Sequence, residues 1–169
     1  MAELLNIKWS DVTSLTYDID SYLSEFEKRK PELIENFKNY DPKQKIIDRI
    51  GEFLSTSDST YKVLAIGAEW CKDCAKQVPQ MVKIFKNIPN DNIEFRILYG
   101  VKVDPFRKER KKRIFWSQHH SPLEAINPNF DLIAIPTFYV FKDELYQGRI
   151  IEEPSDYDTL EEELLSLLK

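Results

Sequence analysis

Apolar residues in the first sixty positions recur at intervals of three and four. In TSLTYDIDSYLSEFEKR the residues Leu15, Ile19, Tyr22, Leu23 and Phe26 form one stripe, which predicts an amphipathic helix. PELIENFKNY predicts a shorter helix with Leu33, Ile34 and Phe37 inward. In DPKQKIIDRIGEFL the stripe is Ile46, Ile47, Ile50, Phe53 and Leu54, with Asp41 as the expected N-cap and Pro42 at the first helical position. Isolated helices of this length are marginal in water, so all three stripes require a partner surface.

The polar run STSDS at 55–59 reads as a loop, and the periodicity then changes. YKVLAIGA has few polar interruptions and predicts a buried central strand ending at Gly67. KQVPQMVKIFKN returns to helical spacing through Val78, Met81, Val82 and Phe85, and Pro79 inside it predicts a kink. IEFRILYG predicts a second strand, and TFYVF with LYQGRII a hairpin across KDE. PSDYDTLEEELLSLLK predicts a closing helix with Ser155 as N-cap, Asp156 and Asp158 in the first turn, and Leu160, Leu164, Leu167 and Leu168 inward. The order is helices, then β-α-β, an irregular stretch, a hairpin and a last helix. This is an α/β class chain built on one central mixed sheet flanked by helices.

A length of 169 residues suits one domain, with 1–58 as an N-terminal helical extension packed on a core of 59–169. The apolar share of 42% beside 31% charged residues excludes a disordered chain. The start, MAELLNIKWSDV, has neither a basic n-region nor an apolar h-region, and no run approaches the roughly eighteen apolar residues of a membrane span. A cytoplasmic protein without membrane partners is therefore expected. The net charge of −5 argues against general nucleic-acid binding.

Cys71 and Cys74 are the only cysteines, too few for a secreted disulfide framework, so redox or metal chemistry is the stronger expectation. A strand followed at once by C-x-x-C and a helix sets the first sulfur at a helix N-terminus, where unpaired N–H groups and the helix dipole favour a thiolate. The second thiol lies one turn on, near enough to resolve a mixed disulfide. Two other readings stand beside this one: a pair of small buried residues, or part of a zinc site. Zinc needs two further ligands, and the adjacent pair His119 and His120 is poorly spaced to supply them.

The stretch AEWCKDC at 68–74 resembles the active-site segment of the thioredoxin family. Pro79 falls where thioredoxins carry a proline in the helix, and IPTFYVF at 135–141 matches the family's I-P-T segment. The resemblance covers roughly 60–169, interrupted by an insertion at about 103–130. It implies a thioredoxin-like fold with Cys71 as nucleophile and Cys74 as resolving thiol. It also implies a cis bond at Ile135-Pro136 facing the cysteines and Trp70 as a wall of the site. The implied activity is reduction of protein disulfides, without a bound cofactor or metal, using electrons from a thioredoxin-reductase-type donor. The alternative is a thioredoxin-fold binding module or metal carrier with little redox turnover.

Several positions depart from the family. The buried acid six residues before the first cysteine is replaced by Ala65, and Arg96 stands where the family has a partner lysine. Either water or another acid, Glu69 or Asp73, takes up the resolving proton, or resolution is slower. Lys72 and Asp73 replace Gly-Pro between the cysteines; Lys72 favours a thiolate and Asp73 opposes it, so a nucleophile pKa near about 7 is expected. A late glycine is replaced by Ile151 or Glu152. Within the insertion, RKERKKR at 107–113 holds six basic residues in seven, read as a solvated helix face or a docking patch. Phe115 and Trp116 are expected to anchor that stretch to the core. The insertion as a whole is expected to shape substrate choice.

Overall fold

The computed structural model describes residues 4–104 and 116–169. Four strands make a single sheet, β1 (Tyr61–Ile66), β2 (Ile93–Leu98), β3 (Thr137–Lys142) and β4 (Leu145–Ile151), in the order β2-β1-β3-β4. β1 runs parallel to β2 and antiparallel to β3, and β3 and β4 form the hairpin. Its loop is Asp143-Glu144, with φ of 47° and 79°, the two left-handed residues that a tight hairpin needs to match the strand twist. The whole of Val63–Ile66 and Thr137–Phe141 is buried, so both faces of the central strands are covered.

The helices are α1 (Ile19–Arg29), α2 (Pro31–Asn39), α3 (Gln44–Ser55), α4 (Lys72–Lys86), α5 (Leu123–Ile126) and α6 (Leu160–Leu168). α2 packs along α4, α1 against α2 and β2, and α3 against α6. The strands and the hairpin lie where the sequence pattern sets them. Among the described residues no helix is long and apolar enough to cross a membrane.

Three helix starts differ from the sequence expectation, those of α1 and α3 because a distant contact claims the chain and that of α6 because of local ones. α1 begins at Ile19, not before Leu15: Asp18 caps it by accepting the Ser21 N–H at 2.8 Å, while Tyr17 exchanges backbone hydrogen bonds with Ile97 on β2. Leu15 is accordingly 97% exposed. α3 begins at Gln44 without an Asp41 cap, because the buried Glu161 carboxylate accepts the Lys43 N–H at 2.7 Å and the Tyr40 hydroxyl, holding 40–43 outside the helix. α6 begins at Leu160 rather than after Ser155. Glu163 accepts the N–H groups of Ser155 and Asp156, and Thr159 caps the helix through the Glu162 N–H.

The N-terminal segment touches both edges of the sheet. Lys8 bridges to Leu145 on β4 and Tyr17 to Ile97 on β2, with Trp9 donating to the Glu144 carbonyl at 2.9 Å. Between these clips, the Thr13 and Ser14 N–H groups and the Ser14 hydroxyl all donate to Glu124. Burial pushes the Glu124 carboxyl up, but the Ser14 and Thr13 donors outweigh it and hold it below its usual range.

α4 continues through Pro79, which has no N–H to give the Ala75 carbonyl one turn back. Asn36 on α2 donates its side-chain amide to that carbonyl at 2.7 Å. A neighbouring helix thus repairs the gap that proline leaves. Asn36→Ala is expected to cost about 1–2 kcal/mol in chemical denaturation, the penalty of an unmet buried carbonyl. The loss should shrink in a Pro79→Ala background, where a backbone N–H becomes available to Ala75.

Candidate active site

β1 ends at Ile66, and its continuation stays pinned to the sheet, Gly67 N–H donating to Leu98 and Val101 N–H to the Gly67 carbonyl. The chain then turns into α4, whose N-cap is Cys71: its sulfur accepts the Cys74 N–H at 3.3 Å. On its other side Sγ of Cys71 donates to the Ile135 carbonyl at 3.7 Å. Register brings that carbonyl there, since Thr137 pairs with Ile66 and the cis Ile135-Pro136 bond immediately precedes it. Both cysteines are free thiols; Cys71 keeps 8% of its surface and Cys74 none.

The two sulfurs have opposite tendencies. The Cys71 thiol is pulled down to about 7, first by hydrogen bonding from the Cys74 thiol, then by the Cys74 and Asp73 N–H groups, against burial and the Asp73 carboxylate. Lys72 is exposed, and the lowering comes chiefly from the helix start and the neighbouring thiol. Cys74 is held well above the ordinary thiol range because it donates to Cys71 and is buried. One thiol is thus half ionised near neutral pH while the other keeps its proton.

Gly67 is required by the close approach of this pair to the strand end. A Cβ there would meet the Cys74 sulfur at 2.8 Å and the Tyr99 ring at 3.2 Å. Behind Cys74 lies an aromatic group that sequence spacing did not single out. Tyr22 of α1 and Tyr99 share a hydroxyl contact of 3.1 Å and pack edge-on at 5.6 Å, with Phe26 against both. Burial raises both phenols above their ordinary range.

The remaining sequence candidates are spread around this centre. Trp70 is half exposed and donates its indole N–H to the Val101 carbonyl at 2.8 Å. Glu69 is held by Arg29 of α1 at 2.6 Å. Arg96 points into the N-terminal segment, donating to the Thr16 hydroxyl and carbonyl, with Glu94 at 3.7 Å. Pro136 is buried, and its carbonyl accepts the Glu152 N–H at 2.6 Å. Glu152 has a φ of 63°, the conformation that glycine adopts freely, so it is the residue standing in the late-glycine position. Burial and the Asp73 carboxylate push its carboxyl up. Trp116 is buried with its indole N–H on the Leu132 carbonyl, whereas His119 and His120 are exposed. The basic run 107–113 and Phe115 lie outside the described residues. Among the described residues no group of three or more His, Cys, Asp and Glu side chains converges as a metal cluster would.

Cys74→Ala removes the first of the groups that lower Cys71. The Cys71 pKa is expected to rise measurably above about 7 in this variant, read from thiolate ultraviolet absorbance against pH.

Comparison with known proteins places this arrangement. Two solved structures resemble the chain over 95% of its length and 96% of theirs. A protein of unknown function from Pseudomonas aeruginosa has a TM-score of 0.61 at 17% identity, and an HIV epitope scaffold has 0.59 at 16%. At these identities the likeness shows the fold. No curated protein matches. The family model described as Thioredoxin matches residues 18–104, just over half of the chain, including β1, the cysteine pair, α4 and β2. On that match the chain belongs to the thioredoxin family.

Proposed function

We propose that the protein is a thiol-disulfide oxidoreductase that reduces protein disulfides through Cys71 and Cys74. The observation that carries this reading is the Cys71 sulfur at the N-cap of α4, with its pKa lowered to about 7 beside a buried, protonated partner thiol. A thiolate that forms near neutral pH is the attacking species in disulfide exchange.

The Cys71 thiolate attacks one sulfur of the substrate disulfide. The substrate S–S bond breaks, a Cys71 mixed disulfide forms, and the departing thiolate takes a proton. Cys74 then gives up its proton and attacks Sγ of Cys71, releasing the second substrate thiolate. Two electrons have passed to the substrate, and the protein is left with a Cys71-Cys74 disulfide. An external dithiol donor of the thioredoxin-reductase type restores it. The Ile135 carbonyl meets the reacting sulfur and the half-exposed Trp70 is its chain neighbour; these two residues with Pro136 are assigned to substrate binding. Lys72, Asp73, Glu69, Pro79 and Arg96 are assigned supporting parts. A cytoplasmic setting, where thiols are kept reduced, suits this direction of electron flow.

Insulin reduction in the presence of dithiothreitol tests the proposal. Wild-type protein should accelerate it and Cys71→Ser should not; equal rates would refute the reading. Cys74→Ser should accumulate a covalent complex with substrate that dissolves on reduction. The first step should follow thiolate fraction: attack on an excess of disulfide is half-maximal near pH 7, falls below it as Cys71 protonates, and levels off above it.

A further inference from the structure

The N-terminal helices carry no recognisable chemistry in the sequence, yet they build half of a cavity beside the dithiol. The cavity has a volume of about 700 Å³, within the size range of ligand sites. One part of the lining is the N-terminal segment at Leu15 and Tyr17 together with Phe26 and Arg29 of α1 and its C-cap Lys30. The other part is the loop at Glu69 and Trp70 and the chain after β2, from Tyr99 to Lys102.

Two features define what fits. Leu15 and Trp70, 97% and 51% exposed, both line the cavity and offer apolar surface at it. The charges are the second feature. Arg29 is neutralised by Glu25 and Glu69, but Lys30 has only an exposed contact with Glu32 at 3.9 Å, and Lys102 has no ion pair among the described residues. A lining with two weakly compensated cations, in a chain of net charge −5, complements carboxylates.

The position of Cys71 separates a protein ligand from a small one. Trp70 lines the cavity and Cys71 does not, its sulfur facing Ile135 instead. A molecule that merely filled the cavity would bring no sulfur to Cys71. A longer chain fills it with one segment while a disulfide a few residues away meets the thiolate.

We propose that this cavity receives an acidic segment of the oxidised protein substrate, seating a large apolar side chain between Leu15 and Trp70 and its carboxylates on Lys30 and Lys102. The inference rests on the disulfide-reductase reading and names the substrate class for it. The N-terminal extension thereby acts as the selecting wall.

Two synthetic peptides test it, each closed by one disulfide and identical except for Glu or Lys on both sides of a Phe a few residues from a cysteine. The Glu peptide should be reduced with kcat/KM about fivefold higher at low salt, the difference lying in KM, as two exposed ion pairs permit. Added salt should compress the ratio. In Lys30→Glu/Lys102→Glu the ratio should fall to one or invert; because it is taken within one variant, a general loss of activity does not mimic the result. Equal rates in the wild type, or a ratio unmoved by the charge reversal, would overturn the proposal. If neither peptide is reduced, the reductase reading fails, and binding decides the cavity separately. Tryptophan fluorescence of Cys71→Ser, with Trp70→Phe in that background as the blank, should then saturate with the Glu peptide and weaken on charge reversal. Absence of saturation would overturn it.

Discussion

The Cys74 N–H that donates to the Cys71 sulfur is one of the backbone donors at the start of α4 with no partner inside the helix. Meeting that demand with a sulfur rather than a hydroxyl or carboxylate sets conditions on everything around it. The strand before it must stop early enough for a turn, so β1 ends at Ile66 and a glycine follows, because the buried sulfur of the next helical turn lies against that backbone. The neighbouring strand must deliver a carbonyl to the other side of the sulfur, and the antiparallel register of β1 and β3 does so through Ile135. A thiolate near neutral pH follows from backbone donors and a second thiol, with little call on charged side chains.

The rest of the molecule supports this centre through polar contacts between segments far apart in sequence. Asn36 supplies the hydrogen bond that Pro79 denies to Ala75 and so keeps α4 helical behind the cysteines. Glu124, Glu161 and Glu163 are buried carboxylates; the first two accept backbone N–H groups from stretches more than a hundred positions away, and Glu163 accepts those of Ser155 and Asp156 just before its helix. Burying a carboxylate is costly unless such donors are present. Glu124 and Glu161 therefore behave as fixed connectors, the one tying Thr13 and Ser14 to α5 and the other tying Lys43 to α6.

Much of this was legible in the sequence, for a reason that is local. β1, β2, the hairpin and the dithiol at a helix start are all encoded within windows of ten or so residues, by short apolar runs, by a C-x-x-C after a strand, and by an I-P-T before one. The start of α3 was misjudged because a carboxylate more than a hundred positions away, Glu161, claims the backbone at Lys43. Tyr22 and Tyr99 meet behind Cys74 from segments 77 residues apart, and no periodicity brings them together. Glu69 and Arg96 make their contacts with Arg29 and Thr16, partners that no local pattern announces. The signal available was Arg29 itself, a cation at the end of a helix whose stripe already demanded a partner.

The clipping of both sheet edges by one short segment has a consequence for how the chain assembles. Tyr17 must find Ile97, and Lys8 must find Leu145, separations of 80 and 137 residues. Contacts of such span close large loops and form only once the strands they join exist. The segment at 8–17 is therefore made well before it can settle, because it waits for the hairpin at 137–151. Until then the outer strands β2 and β4 lack even the single bridge that Tyr17 and Lys8 make to each edge.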